Sequence, residues 1–403
     1  MVHLRQFLQH PSARATGIIF ALCGFIFGTW ASLIPYVKEK FVLDEAELGL
    51  LLLCLPAGNL IANPISVMLI SRWGAVRVSL YSIMAMGIGF TLPILLPSLF
   101  LVGAGMIVAG ATFAFTNVAM NTCASYLEQE VRLQIMSACH GMWSLGAMIG
   151  SLVSGGAILG LKFLAQGRID AYPIYMLMLV IFVLWITWYV HRDLLLIHEG
   201  SHQKEEEPVS GTSMLRPNRM LWILISICLC TFLTEGTMAD WSAVYLRQVT
   251  LAPEAIAGWG FAVYAFFQAS GRFVGDLMIS RHGSMQMLRI GGVLVIAGLV
   301  VIVLSATPWL ALPGFMLTGL GISLASPILY AEAARVPDMP RGAGLATMNT
   351  FGMAAFLGGP VLIGFVAELS DLRIAFICVI LSAVIWVLQT SLIIRRKRSI
   401  PSS

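Results

Sequence analysis

The chain has 403 residues, of which 58% are hydrophobic and 11% charged, with a formal net charge of +4. Soluble domains carry about 25% charged residues, so this chain has too little polar side chain to cover a water-facing surface. That excludes an ordinary globular enzyme or binding domain and leaves a membrane protein, whose helical spans need roughly 20 apolar residues each.

Twelve such runs follow one another, at 15–37, 47–70, 76–95, 98–124, 133–158, 172–191, 220–246, 254–279, 286–305, 308–331, 343–366 and 372–394. Backbone groups in hydrocarbon have no water to bond, so each run is predicted to be a helix. The run 15–37 is too long for a cleaved signal and reads as the first spanning helix. With both termini in the cytoplasm, 17 of the 24 Lys and Arg fall on the inner side. The outer side keeps Lys38, Lys40, Lys162, Arg168, Arg247 and Arg373, and Arg272 lies within a span. This bias sets the orientation. It also accounts for the positive charge without a nucleic-acid patch, because the basic residues are spread over many loops.

In chain order, the first span carries Trp30 near its outer end. The turn after the second reads Ile70-Ser71-Arg72-Trp73-Gly74. The fourth span carries Asn117 and Asn121, an i, i+4 pair on one face, and the fifth carries His140 and Trp143, an i, i+3 pair at similar depth. The segment from His191 to Arg219 is polar and reads as a linker, so the predicted organisation is 1–191, a linker 192–219, and 220–403. The seventh span carries Glu235 and Asp240. The eighth carries Arg272 and Asp276, followed by Ile279-Ser280-Arg281-His282-Gly283.

The two turn motifs are 209 residues apart. The same shift relates Arg132 to Arg341 and His140 to Asn349, and it carries Asn117 and Asn121 onto Ser326 and Tyr330. A shift of 211 relates Trp30 to Trp241. Two copies of a six-span unit are therefore predicted, the parallel-repeat architecture of many secondary transporters. The seven cysteines are odd in number and all lie in apolar runs, which argues against a disulfide framework.

Twelve spans, a six-plus-six repeat, a central cytoplasmic loop and a basic turn after spans two and eight resemble the major facilitator superfamily. Its loop signature runs Gly, three residues, Asp, Arg, one residue, Gly, Arg. Arg72, Gly74, Arg281 and Gly283 match it, whereas Ser71, Ser280, Val67, Asp276, Ala75 and Ser284 depart from it. Asn117-Val118-Ala119-Met120-Asn121, Cys139-His140-Gly141-Met142-Trp143-Ser144-Leu145-Gly146 and Glu235-Gly236-Thr237-Met238-Ala239-Asp240-Trp241 are similar to a bacterial branch near the fucose permeases. Those permeases have acids at the position of Asn117 and in span one. This chain has neither, so any proton coupling has to use another group.

Ionisable groups inside a bilayer are costly and are functional candidates. Glu235 is the expected proton carrier, with Asp240 as a second coupling or gating acid. Asn117, Asn121, His140, Trp143, Ser326, Tyr330 and Asn349 could converge from both halves on a wet, neutral cleft. Amides suit hydroxyl-rich solutes, and an indole face suits the apolar side of a sugar ring. Helix–helix hydrogen bonding and plain packing are the alternatives for these residues. Arg72, Arg272, Asp276 and Arg281 look like a charge latch for gating. Trp30 and Trp241 suit a gate or an interfacial aromatic belt equally.

The expectation is an all-α transporter of the bacterial inner membrane that acts on a small neutral hydroxylated solute by alternating access. It would be monomeric, with no cofactor beyond a proton gradient and no partner beyond its solute and the lipid bilayer. Phe113, Phe115, Met120 and Met142 would suit the alternative, a proton-antiport exporter of drugs or hydrophobic metabolites. A non-transporting membrane sensor or an enzyme is disfavoured. No nucleophile–base pair, metal cluster or output domain is visible, and no Gly-Lys-Ser/Thr motif supports direct ATP drive.

Overall fold

The computed structural model describes residues 7, 9–131, 135–166, 170–197, 218–336 and 343–399. The first half comprises α1 (Pro11–Phe41), α2 (Glu45–Trp73), α3 (Ala75–Gly89), a short α4 (Leu92–Leu95), α5 (Leu99–Val131), α6 (Met136–Leu164) and α7 (Ala171–Leu194). The second comprises α8 (Arg219–Gln248), a 3-10 turn (Glu254–Ile256), α9 (Trp259–His282), α10 (Ser284–Leu304), α11 (Pro308–Ile322), α12 (Ala325–Ala333), α13 (Ala343–Leu369) and α14 (Leu372–Ser399). Most of the expected linker lies outside the described residues.

Among the described residues, eleven helical stretches, counting α3–α4 and α11–α12 as one each, are long and apolar enough to cross a membrane. The exception is α9, where Gln268, Arg272 and Asp276 interrupt an otherwise apolar run. The bundle's outer face is apolar. Phe100 is 85% exposed and Trp188 69%, a surface compatible with lipid and not with water. Polar caps mark several span ends. Asp44 and Glu47 close a reciprocal capping box on α2, while Asp170 and Asn218 cap α7 and α8.

Two predicted spans are broken, each beside a proline. A proline has no N–H, and its ring crowds the carbonyl four residues back. Pro93 lies in the first turn of α4, just past the break at Phe90 and Thr91. Pro327 follows the break at Ser323 and Leu324, between α11 and α12.

The repeat is visible in the backbone. Gly74 has φ 83° and ψ 153°, and Gly283 has φ 81° and ψ 151°. That region is essentially closed to side chains, so both turns require glycine. The same shift of 209 relates two close helix approaches. A Cβ on Gly110 would run into the Leu55 carbonyl, and one on Gly319 into the Tyr264 carbonyl.

The ends of the bundle differ in how the halves meet. The start of α1 pairs with the end of α7 within the first half, Arg14 to Asp193 at 3.5 Å. The opposite end, here the far end, carries bonds between the halves. Arg247 Nε meets Glu39 at 2.8 Å, and Lys162 Nζ meets Glu254 at 2.7 Å. Ser151 donates to the Gly258 carbonyl at 2.7 Å, and the Glu45 N–H to Glu368 at 3.2 Å.

Candidate functional site

The polar centre of the bundle is built on α9. Tyr264, Gln268 and Arg272 are spaced i, i+4, i+8 and so rise along one face of the helix. Both hydrogens of the Gln268 amide are used: Nε2 donates to Glu235 Oε1 at 3.1 Å and to the Tyr264 hydroxyl at 3.2 Å. Tyr264 is 3% and Gln268 5% exposed, so these bonds are shielded from water. Glu235 stands near the middle of α8. The charge of Arg272 reaches Glu235, Tyr264 and, across the halves, His140. Tyr330, on α12, lies within the electrostatic reach of Glu235 and Cys228.

The broken span explains how Arg272 is held. In a continuous helix the Ser323 carbonyl would accept from the N–H of residue 327. Pro327 has none, so the carbonyl is left without its helical donor. Arg272 Nε donates to it instead, at 3.4 Å. Gly271, beside Arg272, permits the approach, since a Cβ there would strike Ser323 Oγ. An arginine, a helix break and a glycine thus form one local device, and it sits beside the acid.

From the first half, Asn121 Nδ2 donates to the Asn117 carbonyl at 2.8 Å and to its side-chain oxygen at 3.1 Å. Both asparagines are half-buried, and their amides are partly engaged with each other. His140 packs edge-on against Phe20, with ring centroids 5.4 Å apart. Trp143 lies 5.9 Å from Phe27, Phe27 lies 6.1 Å from Phe261, and Phe261 lies 6.0 Å from Tyr264. An aromatic run therefore joins Trp143 of the first half to the Gln268–Glu235 bond of the second. Phe113 flanks it, 5.7 Å from Phe27.

Asp240 lies apart from Glu235, farther along α8 toward the far end. It borders a pocket lined by Phe27, Trp30, Leu52, Leu55, Pro56, Met106 and Phe356, with about 10 Å³ of free space. That is room for about one water. Trp30 is 3% exposed and Trp241 fully buried, so neither is an interfacial belt residue; Trp30 faces Asp240 across the halves. Arg72 and Arg281 are exposed, each just before its glycine turn. Ser326 is half-buried near the start of α12. The side chains of Asp276 and Asn349 lie outside the described residues, as does Arg341. Arg272 lies within the electrostatic reach of Glu235, and its expected latch with Asp276 falls outside the described residues.

The far end closes around Glu254. Its carboxylate accepts two bonds from Lys162, at 2.8 and 2.7 Å, and one from the Tyr172 hydroxyl. Tyr172 stacks on Tyr36, ring centroids 3.5 Å apart. Burial by itself would raise the Glu254 pKa. The bonds from Lys162 and Tyr172, with the charges of Lys162 and Arg247, outweigh it and hold the carboxyl below its ordinary value.

Sequence reading missed Tyr264, Gln268, Ser323 and Pro327. A usable signal was there: three polar positions at i, i+4, i+8 in a span that is otherwise apolar.

Two six-helix halves around a polar centre, with the far end bolted across the halves, are the architecture of a membrane transporter, which implies a small-molecule substrate. The sequence profile of the Major Facilitator Superfamily matches residues 16–331, and the chain belongs to that superfamily. It is 32% identical to an uncharacterized MFS-type transporter of Yersinia pestis, over 91% of this chain and 92% of that one. It is 34% identical to the uncharacterized transporter y4wD of Sinorhizobium fredii, over 89% and 92%. The membrane protein MosC of Rhizobium meliloti is 28% identical over 92% and 87%. Among solved structures, the nucleoside transporter NupG superposes with a TM-score of 0.69 at 14% identity, covering 94% of this chain and 97% of that one. A bacterial homologue of the lysosomal transporter Spinster, inward-facing and occupied, gives 0.70 at 13% identity, covering 94% and 96%. At such identities the likeness shows the fold alone.

Proposed function

We propose that the protein is a proton-coupled secondary transporter of a small hydroxylated solute in the bacterial inner membrane, on a branch near the fucose permeases. Both termini face the cytoplasm, and the far end faces out. Glu235 carries the proton, and Asp240 is a second coupling or gating acid nearer the outside. Asn117, Asn121, His140, Trp143, Ser326, Tyr330 and Asn349 contribute to the solute path.

The observation that carries this reading is Glu235 itself: a carboxyl within a span, hydrogen-bonded by Gln268 and facing the charge of Arg272. A carboxyl with a nearby cation and little water changes protonation when either its hydration or its counter-charge changes. Movement of the two halves changes both. The bolted far end is one of the two states that alternating access requires.

The test is proton movement. Purified protein in liposomes enclosing a pH dye is given a panel of sugars, polyols and sugar acids. An active solute acidifies or alkalises the lumen in wild type and fails to do so in Glu235→Gln. Equal proton movement in Glu235→Gln would remove the acid from its role.

One observation favours the exporter alternative. An apolar groove of about 490 Å³ opens between α2 and α13, lined by Leu53, Leu357, Val361, Leu362 and Phe365. It would admit a lipophilic solute from the bilayer. Bulky replacement of Gly358, which has open space beside it, should block such a solute and leave a water-soluble one unaffected.

A further inference from the structure

The sequence predicts a neutral cleft, but the structure brings a cation to its edge. Arg272 is half-buried in α9, which is not among the stretches apolar enough to cross a membrane that the described residues show. Its charge is felt by Glu235 on one side and by His140 of the other half on the other. An arginine within a span is costly and is retained where its charge is used. The question is what uses it.

Two contacts narrow the answer. Arg272 is tethered by Nε to the carbonyl that Pro327 leaves free. Glu235 is hydrogen-bonded by Gln268, one turn away along the same ridge, and among the described residues no hydrogen bond joins it to Arg272. The acid is therefore close enough to act on the guanidinium without occupying its fork. A guanidinium presents paired N–H groups that fit a carboxylate or phosphate bidentately. Tyr330 lies within the electrostatic reach of Glu235, and His140 of the first half within that of Arg272.

Given the proton-coupled transport proposed above, we infer that the solute is a small organic anion, a hydroxylated carboxylate, and that Arg272 receives its carboxylate. Binding and protonation are then linked. Ionised Glu235 competes with the solute for the charge of Arg272. A proton on Glu235 removes that competitor, so the proton and the anion favour each other's binding by the same factor. One proton and one monoanion move together with no net charge. Solute release on the side where Glu235 loses its proton follows from the same competition.

Asp276 lies one turn from Arg272 on α9 with its side chain outside the described residues; the ionisable groups that the described residues place around this pair enter the pH dependence and come from several elements. They are Cys228 on α8, Tyr264 on α9, Tyr330 on α12 and His140 on α6. Cys228, Tyr264 and Tyr330 ordinarily titrate well above neutral pH. Among these described residues His140 is the one that could mimic Glu235; it also belongs to the proposed solute path, so His140→Gln is judged on the ratio of its acidic to alkaline response and not on its affinity.

The experiment uses the full chain in liposomes, probed with gluconate and glucuronate against sorbitol and glucose, at mildly acidic and mildly alkaline pH. Thermal stability reports binding by mass action, and the lumenal dye reports proton movement. Wild type is expected to be stabilised by the two acids and not by their neutral counterparts, and more at acidic pH. Arg272→Gln should lose the response. Arg272→Lys, which keeps the charge and tests folding, should bind about 10-fold more weakly, the effect of one lost charge-assisted hydrogen bond. Glu235→Gln should bind the acids equally at both pH values. His140→Gln should bind more weakly, as a member of the solute path, and keep the wild-type ratio of acidic to alkaline affinity. Proton uptake driven by the acids should not change with membrane potential.

Binding and proton movement with sorbitol or glucose, unchanged in Arg272→Gln, would overturn the anion assignment and leave the transport proposal standing. Wild-type pH dependence persisting in Glu235→Gln, or lost in His140→Gln, would overturn the competition. No response to any of the four probes would overturn the anion assignment, and proton movement with no solute of the wider panel would remove the transport proposal too.

Discussion

The two halves share one plan and differ in chemistry at the same place. Leu55, Asn59, Ala62 and Asn63 of α2 correspond, at the shift of 209, to Tyr264, Gln268, Gly271 and Arg272 of α9. In the first half, Asn63 donates to Asn59 at 3.2 Å, a neutral rung at i, i+4. In the second, the matching rungs are Gln268, which bonds Glu235, and Arg272, whose charge reaches that acid. Val118 corresponds to Pro327, and accordingly α5 runs unbroken through that level while α11 and α12 are separated. The scaffold is duplicated and the charge is not. Under the proposed function, the proton carrier needs a counter-charge whose position can change, whereas the amides of the first half would suffice to bond hydroxyls.

The largest effect should come from erasing this difference. Arg272→Asn copies the first half's Asn63 and strips Glu235 of its counter-charge. A nearby opposite charge is worth about 1–3 pKa units to a carboxyl, or about 1.4–4 kcal/mol, enough for about 10-fold or more in rate. Solute-driven proton movement should fall accordingly, and wild-type flux in this variant would show that the halves are functionally equivalent.

Next come the shared approaches. Gly110→Leu and Gly319→Leu each force a side chain into a neighbouring backbone carbonyl. Overpacking of this kind costs about 1–3 kcal/mol. Comparable falls in Tm are expected, and a fall in only one variant would break the symmetry of the two packings.

A smaller effect is expected for Pro327→Val, which copies Val118. The new N–H competes with Arg272 for the Ser323 carbonyl. One net hydrogen bond is worth about 1 kcal/mol, so transport should drop about 5-fold while Tm holds or rises. Unchanged transport would mean that the freed carbonyl does not position Arg272.

The smallest effects belong to the far-end bolt. The Lys162 and Glu254 side chains are each 40% exposed, and such pairs contribute about 0.2–1 kcal/mol. A double-mutant cycle with alanine should return a coupling in that range. The pH dependence has a definite sign. Glu254 is held below its ordinary value of 4.5, so its contribution is present above that pH and is lost as pH falls through the lower, folded value. Spin labels at the exposed Leu159 and Leu251 should keep a fixed separation from neutral pH down through 4.5 and spread only below it. Spreading already near pH 6 would assign the bolt to another group.

Much of this was legible in the chain. The apolar runs, the glycine turns at Gly74 and Gly283 and the pairing of Asn117 with Asn121 follow from local spacing, and lipid leaves the backbone little choice but helix. Glu235 stood out because a carboxyl within an apolar run is costly, and is kept either for function or for a hydrogen bond between helices. The breaks in the third and tenth spans were not foreseen, although Pro93 and Pro327 were in view, because spans can tolerate proline when neighbours re-satisfy the freed backbone groups. Spacing along α9 suggests a pairing of Arg272 with Asp276, whose side chain lies outside the described residues. Only the packing of α9 against α8 and against the break after α11 put Arg272 near Glu235 and on the Ser323 carbonyl.

The sequence by itself thus determined the span count, the repeat and which polar residues lie within the membrane, since these depend on hydrophobicity and period along one helix. Tertiary structure decided which of those residues meet, because a partner on another helix is set by crossing geometry and by the small residues that allow close approach. Gly271 and Pro327 have no meaning in isolation; between α9 and α12 they fix where an arginine stands.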